Sequence, residues 1–184
     1  MIKTIFNSKI AAVALLSSAS FLFSCSSIKG NSFKVANATI NSTKADVAGS
    51  GTISFTQKQN IVVMKLDLNF PSKAGKTVAV HIHEHGDCGD SGNAAHGHWN
   101  PTNSKHGKWG SAAFHLGDIG NVTLDAAGKG FLVMETDKWS VGSGSTTDVT
   151  GKGIIVHDGA DDYVTQPTGN AGARIGCGVI TLKK

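Results

Sequence analysis

From Phe33 to the C-terminus, apolar and polar positions form short runs rich in β-branched residues: "FKVANATI", "GTISFT", "NIVVMKLDLNF", "TVAVHIHEH", "GFLVMETD", "GKGIIVHD" and "ARIGCGVITL". Several alternate with a period of two, which is the pattern of a strand with one face on a core. Turn-forming stretches separate them, among them "AGSG", "PSKAGK", "DAAGKG" and "GSGSTTDVTGKG". The 23 glycines far outnumber the three prolines, so glycine does most of the punctuation. No segment of this body carries a convincing amphipathic helical pattern, and no repeat period is evident. The reading is an all-β fold, a Greek-key antiparallel β-sandwich or barrel. Two regions break the strand pattern, Gly86 to about Asp118 and Asp158 to Gly172. Connections this long in a compact domain are functional or disordered, and these two hold much of the histidine, acid and glycine, so both are expected to be functional loops.

The histidines sharpen that expectation. All eight lie between His81 and His157: His81, His83, His85, His96, His98, His106, His115 and His157. In "TVAVHIHEH" the residues Val78, Val80 and Ile82 share one strand face, and His81, His83 and His85 share the other. The apolar side can pack on a core while imidazoles converge on a point outside it. An H-x-H pair alone is moderate evidence for a metal. Here "HGHWNP", "KHGK", "FHLGD" and "IIVHD" follow. Imidazole-rich sets with one carboxylate suit copper and zinc.

The N-terminus changes the compartment. Lys3 and Lys9 precede an apolar and small-residue run from Ile10 to Phe23. It is too short for a comfortable membrane span and fits the hydrophobic region of a secretory signal. "LFSC", ending at Cys25, resembles a bacterial lipoprotein processing box. That resemblance implies a signal peptide over 1–24, a lipid on Cys25, a tether over 25–32 and a domain over 33–184. An odd cysteine count in an exported chain asks for one special thiol. With Cys25 lipidated, Cys88 and Cys177 remain, and export favours a disulfide between them. Without Lys3 and Lys9 the 17 basic residues become 15, which against 13 acidic residues leaves a formal charge of +2. That is too weak to indicate nucleic acid as a partner.

"HIHEHGDC", "HWNPTNSKHG", "HLGDIGNV", "IIVHDGADD" and "GNAGARIGCGVI", in this order from about Val78 to Ile180, resemble the motifs of the copper–zinc superoxide dismutase family, with a short final loop like its bacterial branch. The resemblance implies copper ligands at His81, His83, His98 and His157. It implies zinc ligands at His98, His106, His115 and Asp118, with the His98 ring bridging the two metals. Asp161 matches an acid that orients one ligand histidine of each metal, and Cys88–Cys177 matches the intrachain disulfide. Arg174 matches the arginine that meets the anionic substrate, superoxide. It is the one arginine of the chain, and a guanidinium is always charged with a fixed fork of donors.

The implied function is dismutation of superoxide by copper redox cycling, with His98 and Arg174 as catalytic residues. The alternative is a non-catalytic periplasmic copper or zinc binder or copper carrier. Lys105, Lys108 and Lys152 could steer an anion. His85 and His96 match no ligand position of the family. Exposure beside the metal loop is the plainer reading of them, and auxiliary copper capture or pH sensing the sharper one. A lipid on Cys25 implies a cell-envelope location, facing the periplasm or associated with the outer membrane. Monomer and homodimer both stay open.

Overall fold

The computed structural model describes residues 33–184. The expected signal peptide over 1–24 and the whole of the 25–32 tether, Cys25 included, lie outside the described residues. Nine strands form one antiparallel sheet among them: β1 Lys34–Ser42, β2 Ser50–Lys58, β3 Ile61–Asn69, β4 Thr77–His83, β5 Gly120–Thr123, β6 Lys129–Thr136, β7 Gly153–His157, β8 Arg174–Val179 and β9 Thr181–Leu182. The order is β5-β4-β7-β8-β1-β2-β3-β6, with β9 beside β1. The connections from β3 to β4 and from β6 to β7 cross between the two halves of the sheet, as Greek-key connections do. The join at β8 and β1 is thin, made at Asn41 opposite Cys177 and Ser42 opposite Gly176. The ends β5 and β6 approach one another, so the sheet curls into a nearly closed barrel.

Alternation explains the core. Ala36, Ala38 and Ile40 from β1, Ile53 and Phe55 from β2, Met64, Leu66 and Leu68 from β3, and Ile154 and Val156 from β7 point inward and are buried. Phe55 meets Trp139 edge-on at 5.6 Å between ring centroids. The indole Nε1–H of Trp139 then donates to the carbonyl of Leu116 at 2.9 Å. This bond ties the long loop after β4 to the apolar interior, and a buried indole N–H needs such a partner.

The strand with the histidines departs from the sequence expectation. β4 stops at His83, so His85 lies beyond it and is exposed, whereas His81 and His83 are fully buried. Both faces of β4 are covered: Val78, Val80 and Ile82 by the barrel interior, and Ala79, His81 and His83 by the loops over 84–119 and 158–173. β5 is a further difference. Its four residues are too few to show a period, and pairing with β4 makes it a strand.

Cys88 and Cys177 form the disulfide, with Cα atoms 5.7 Å apart and a sequence separation of 89. It fastens the loop after β4 to β8. Closing a loop of that length is worth about 4–5 kcal/mol in the chain-entropy account.

Candidate metal centre

Backbone hydrogen bonds set the frame for the site. Trp99 N donates to Ile82 O, Ile82 N to Gly117 O and Gly117 N to Trp99 O, each at 2.9 Å. This triangle brings together the end of β4, the segment at His98 and the segment from His115 to Asp118. It works because position 117 is glycine: an added Cβ would collide with the Ile82 carbonyl and crowd Trp99 N. A second close approach holds the loop after β7. Gly169 has φ of +71, and a Cβ there would collide with the Asp161 carboxylate. His157 is placed by a register shift at Val156/His157, which sets it opposite Arg174 on β8; such irregularities re-aim a side chain.

Two groups of four donors result. His81, His83, His98 and His157 form one, and His98, His106, His115 and Asp118 the other; within each, the donor atoms lie within 4.8 Å of one another and all are buried. His98 is common to both. Its ring lies 4.0 Å from that of His81 and 5.3 Å from that of His106, centroid to centroid.

The outer nitrogens fix the tautomers. His83 Nδ1 donates to the carbonyl of His96 at 2.8 Å, and His157 Nδ1 to the carbonyl of Gly172 at 3.2 Å. A carbonyl can only accept, so in each neutral ring Nε2 is the bare nitrogen, and these two Nε2 atoms face one another at 3.4 Å. The Asp161 carboxylate accepts from His81 Nε2 through Oδ2 and from His106 Nε2 through Oδ1, each at 2.9 Å. Nδ1 of both rings is thereby left bare. Asp161 is itself clamped. Its backbone N donates to Asn121 Oδ1 at 2.8 Å, Asn121 Nδ2 donates to its carbonyl at 2.9 Å, and Tyr163 N donates to Oδ1 at 2.7 Å.

The set fits metal ions. His81 Nδ1, His98 Nε2, His106 Nδ1 and His115 Nδ1 are buried with no hydrogen-bond partner. Such orphans are costly in a folded interior. His106 Nδ1 and His115 Nδ1 do lie 3.0 and 3.3 Å from Asp118 oxygens. Those contacts lack hydrogen-bond alignment, but they suit a set of ligands converging on one cation. Imidazole nitrogens on one side and three imidazoles with a carboxylate on the other are donor sets for copper and zinc.

Charge follows from burial. Desolvation holds His83 well below its ordinary value of 6.5, lowers His98 to about 4 and lowers His157 to about 3. The hydrogen bond to Asp118 only partly offsets this at His98. For Asp118, burial alone would raise the carboxyl, but the His115 ring close beside it and the hydrogen bonds from His98 Nδ1 and the His115 backbone N outweigh this and leave the group well below the usual carboxylate range. Burial likewise opposes, and hydrogen bonds from His81, Tyr163 N and His106 win, at Asp161.

A pH dependence follows for the metal-free protein. As pH falls through 6.5, the ordinary value, the unfolded chain protonates these histidines, but the folded chain does not until about 4 at His98 and about 3 at His157. The unfolded state then binds more protons, so the stabilising contribution is full above pH 6.5 and is lost down to those values. The lowered Asp118 and Asp161 contribute above 3.8 and lose that contribution as pH falls below it. Thermal unfolding of chelated protein at about pH 7.5 and about pH 5 checks this, the lower Tm being expected at the lower pH. An equal or higher Tm there would contradict it.

Arg174 is half-buried. Its Nη1 donates to the carbonyl of Gly92 and its Nη2 to that of His96, each at 2.5 Å. The His96 carbonyl thus serves both Arg174 and His83. Arg174 lowers the pKa of both His83 and His157, so its charge reaches that donor group. Lys105 lines a groove with His98, His115 and Gln166, while Lys108 and Lys152 lie over the rings of Tyr163 and Trp99.

Sequence reasoning missed Asn121, the His96 carbonyl and Gln166. The Gln166 side chain accepts from His106 N and donates to His106 O, both at 2.9 Å. Each acts through a polar contact between distant segments, for which the sequence carries no local signal. His85 and His96 lie outside both buried groups and are exposed.

Residues 49–180 match the family model for copper/zinc superoxide dismutase. A "superoxide dismutase-like protein" of Bacillus subtilis is 37% identical over 59% of this chain and 57% of its own length, so the chain spans under two thirds of that relative. A superoxide dismutase [Cu-Zn] of Aquifex aeolicus is 33% identical over 79% of this chain and 85% of its own. Among solved structures, a double mutant of a superoxide-dismutase-like protein from Bacillus subtilis superposes with a TM-score of 0.69 and 30% identity, over 79% of this chain and 96% of that one.

Proposed function

The chain belongs to the copper/zinc superoxide dismutase family, and from that premise we propose that it is an enzyme that removes superoxide. Two superoxide ions and two protons would give one oxygen and one hydrogen peroxide. The observation that carries this reading is the His98 ring, placed between two buried donor groups that share it. His81, His83 and His157 would hold copper together with His98, and His106, His115 and Asp118 would hold zinc together with His98. Copper, which alternates between two oxidation states, would supply both the electron acceptor and the electron donor, while zinc, which does not, would supply fixed charge.

The chain's own residues supply the rest. His98 Nε2, buried and without a partner, is where we place the proton that the product peroxide requires. Asp161 keeps His81 and His106 in the tautomers that leave Nδ1 bare. Arg174 brings a permanent positive charge to the same region, held by two carbonyls, and an incoming anion gains from it. Lys105, in the groove with His98 and His115, is the lysine best placed to add to that field.

The decisive experiment is rapid-mixing measurement of superoxide decay with protein loaded with copper and zinc, against the metal-free form. Fast decay with the loaded protein alone is expected; equal decay with both refutes catalysis. The name of the Bacillus relative, "superoxide dismutase-like", favours a second reading, a non-catalytic copper or zinc binder. A loaded protein that holds both metals yet leaves superoxide untouched would establish it.

Replacing Arg174 with alanine is expected to lower kcat/KM by roughly tenfold, the scale of one lost charge-assisted contact, with both metals still bound. The remaining rate should also depend less on ionic strength, because a steering charge is gone. Arg174→Lys should recover part of that salt dependence but not the two carbonyl bonds. Full activity in Arg174→Ala would remove the guanidinium from the mechanism.

We also propose export, with cleavage before Cys25 and a lipid on that cysteine holding the domain at the cell envelope. Labelled palmitate should be incorporated by the natural chain and not by Cys25→Ser. Equal labelling of the two would discard the anchor.

A further inference from the structure

Beyond β4 the chain turns, and Glu84, His85 and His96 come together at the surface. Their donor atoms lie within 4.8 Å of one another, and all three residues are exposed. The His85 and His96 rings meet at nearly right angles, 4.5 Å between centroids. The backbone fixes this approach: Glu84 N donates to Gly97 O at 3.0 Å and His85 N to Ala95 O at 3.2 Å. His96 has φ of 60 and ψ of −141, a conformation open chiefly to glycine. A side chain is nonetheless carried there, and it meets His85. Among the described residues none of the three side chains makes a hydrogen bond or an ion pair. Lys152, which reaches toward this place, is bonded to the Glu84 carbonyl at 3.3 Å and lies over Trp99, and it leaves the carboxylate unpaired.

We propose that Glu84, His85 and His96 form a third metal site, solvent-facing and separate from the two buried groups, for a divalent first-row cation. Two imidazoles and a carboxylate whose donor atoms already lie within 4.8 Å of one another can converge to ligand distances of about 2.0–2.2 Å by rotation of their exposed side chains. Water completes the shell on the open side. Of the divalent ions such a set accepts, Cu2+ binds most tightly. The site stands on its own geometry, not on the catalytic reading. An ion there is bonded to the residue whose carbonyl receives both His83 Nδ1 and Arg174 Nη2, so it sits against the segment that orients the buried group.

The test uses protein with both buried sites filled, its metal content fixed by elemental analysis, titrated with Cu2+ alone and followed by electron paramagnetic resonance. One further equivalent is expected, with coupling to two imidazole nitrogens. That equivalent is expected to be lost in His85→Ala and in His96→Gly, glycine taking up φ 60 and ψ −141 without strain and so keeping in place the carbonyl that serves His83 and Arg174. Both variants should still hold the two buried metals, which shows that they are folded. No further equivalent in the natural chain, or one that survives either substitution, overturns the site. Because bound copper is read and not turnover, a catalytically inert protein that takes up the third ion supports the site and refutes only the enzyme reading.

Discussion

Alanine in place of His98 is expected to reduce superoxide removal by roughly 10²–10⁴-fold, the range for loss of a positioned proton-transfer group, while leaving the barrel folded. The arrangement explains why this position should be so sensitive. His98 is the member common to both donor groups, so its removal takes one donor from each. Each group keeps three: His81, His83 and His157 on one side, and His106, His115 and Asp118 on the other. Three donors still bind either metal, with lower affinity. The variant should therefore retain measurable copper and zinc in excess metal and still fail as a catalyst, because the ring that links the two groups and offers Nε2 is gone. Elemental analysis and superoxide decay on the same preparation separate these effects. A variant with both metals bound and near-natural turnover would show that the shared imidazole is not needed for the reaction.

The strands were legible where they are long enough to alternate and one face meets the barrel interior. β1, β2 and β3 repeat inward apolar positions over nine residues each, and the period carries through; in β6 the outward Phe131 and Val133 are apolar as well, so it reads as an unbroken apolar run. β5 did not show, because four residues cannot establish a period and its identity comes from pairing with β4. β4 read as one apolar and one polar face, yet both are buried, because the loops that cover the histidines come from residues far along the chain. Periodicity reports which face is apolar; it does not report what another segment later lays over the polar one.

The donors themselves were legible because each sits in an ordered, spaced motif, and the structure brings them into two groups. What holds them was not. Asn121 clamps Asp161 across 40 positions, Gln166 clamps His106 across 60, and Arg174 reaches Gly92 across 82. These are one or two hydrogen bonds between distant segments, and no local pattern in the sequence marks them. The glycines at 117 and 169 are of the same kind: their reason lies in the Ile82 carbonyl and the Asp161 carboxylate, which only the folded chain brings close.

Asp161 is expected to be the most sensitive residue outside the two donor groups, and asparagine there should be nearly as harmful as alanine. The carboxylate accepts from His81 Nε2 with one oxygen and from His106 Nε2 with the other. Asparagine keeps the shape but offers one acceptor oxygen and an NH₂ group that can only donate. One ring can stay as it is. The other meets N–H against N–H, and relieves the clash by moving its proton to Nδ1, the nitrogen directed at the donor group. That ring then has no bare nitrogen for a metal. Alanine leaves both rings free to choose either tautomer and orphans two buried N–H groups, at about 1–3 kcal/mol each. Loss of such an orienting partner typically lowers metal affinity by about 10–100-fold. Because His81 belongs to one donor group and His106 to the other, the asparagine variant should lose mainly one metal after dialysis against a moderate chelator, and the alanine variant should be weakened at both. Metal content after that dialysis decides the matter. Natural retention of both metals in Asp161→Asn would mean that the rings hold their tautomers without this carboxylate, and the link drawn from Asn121 through Asp161 to the two donor groups would have no energetic content.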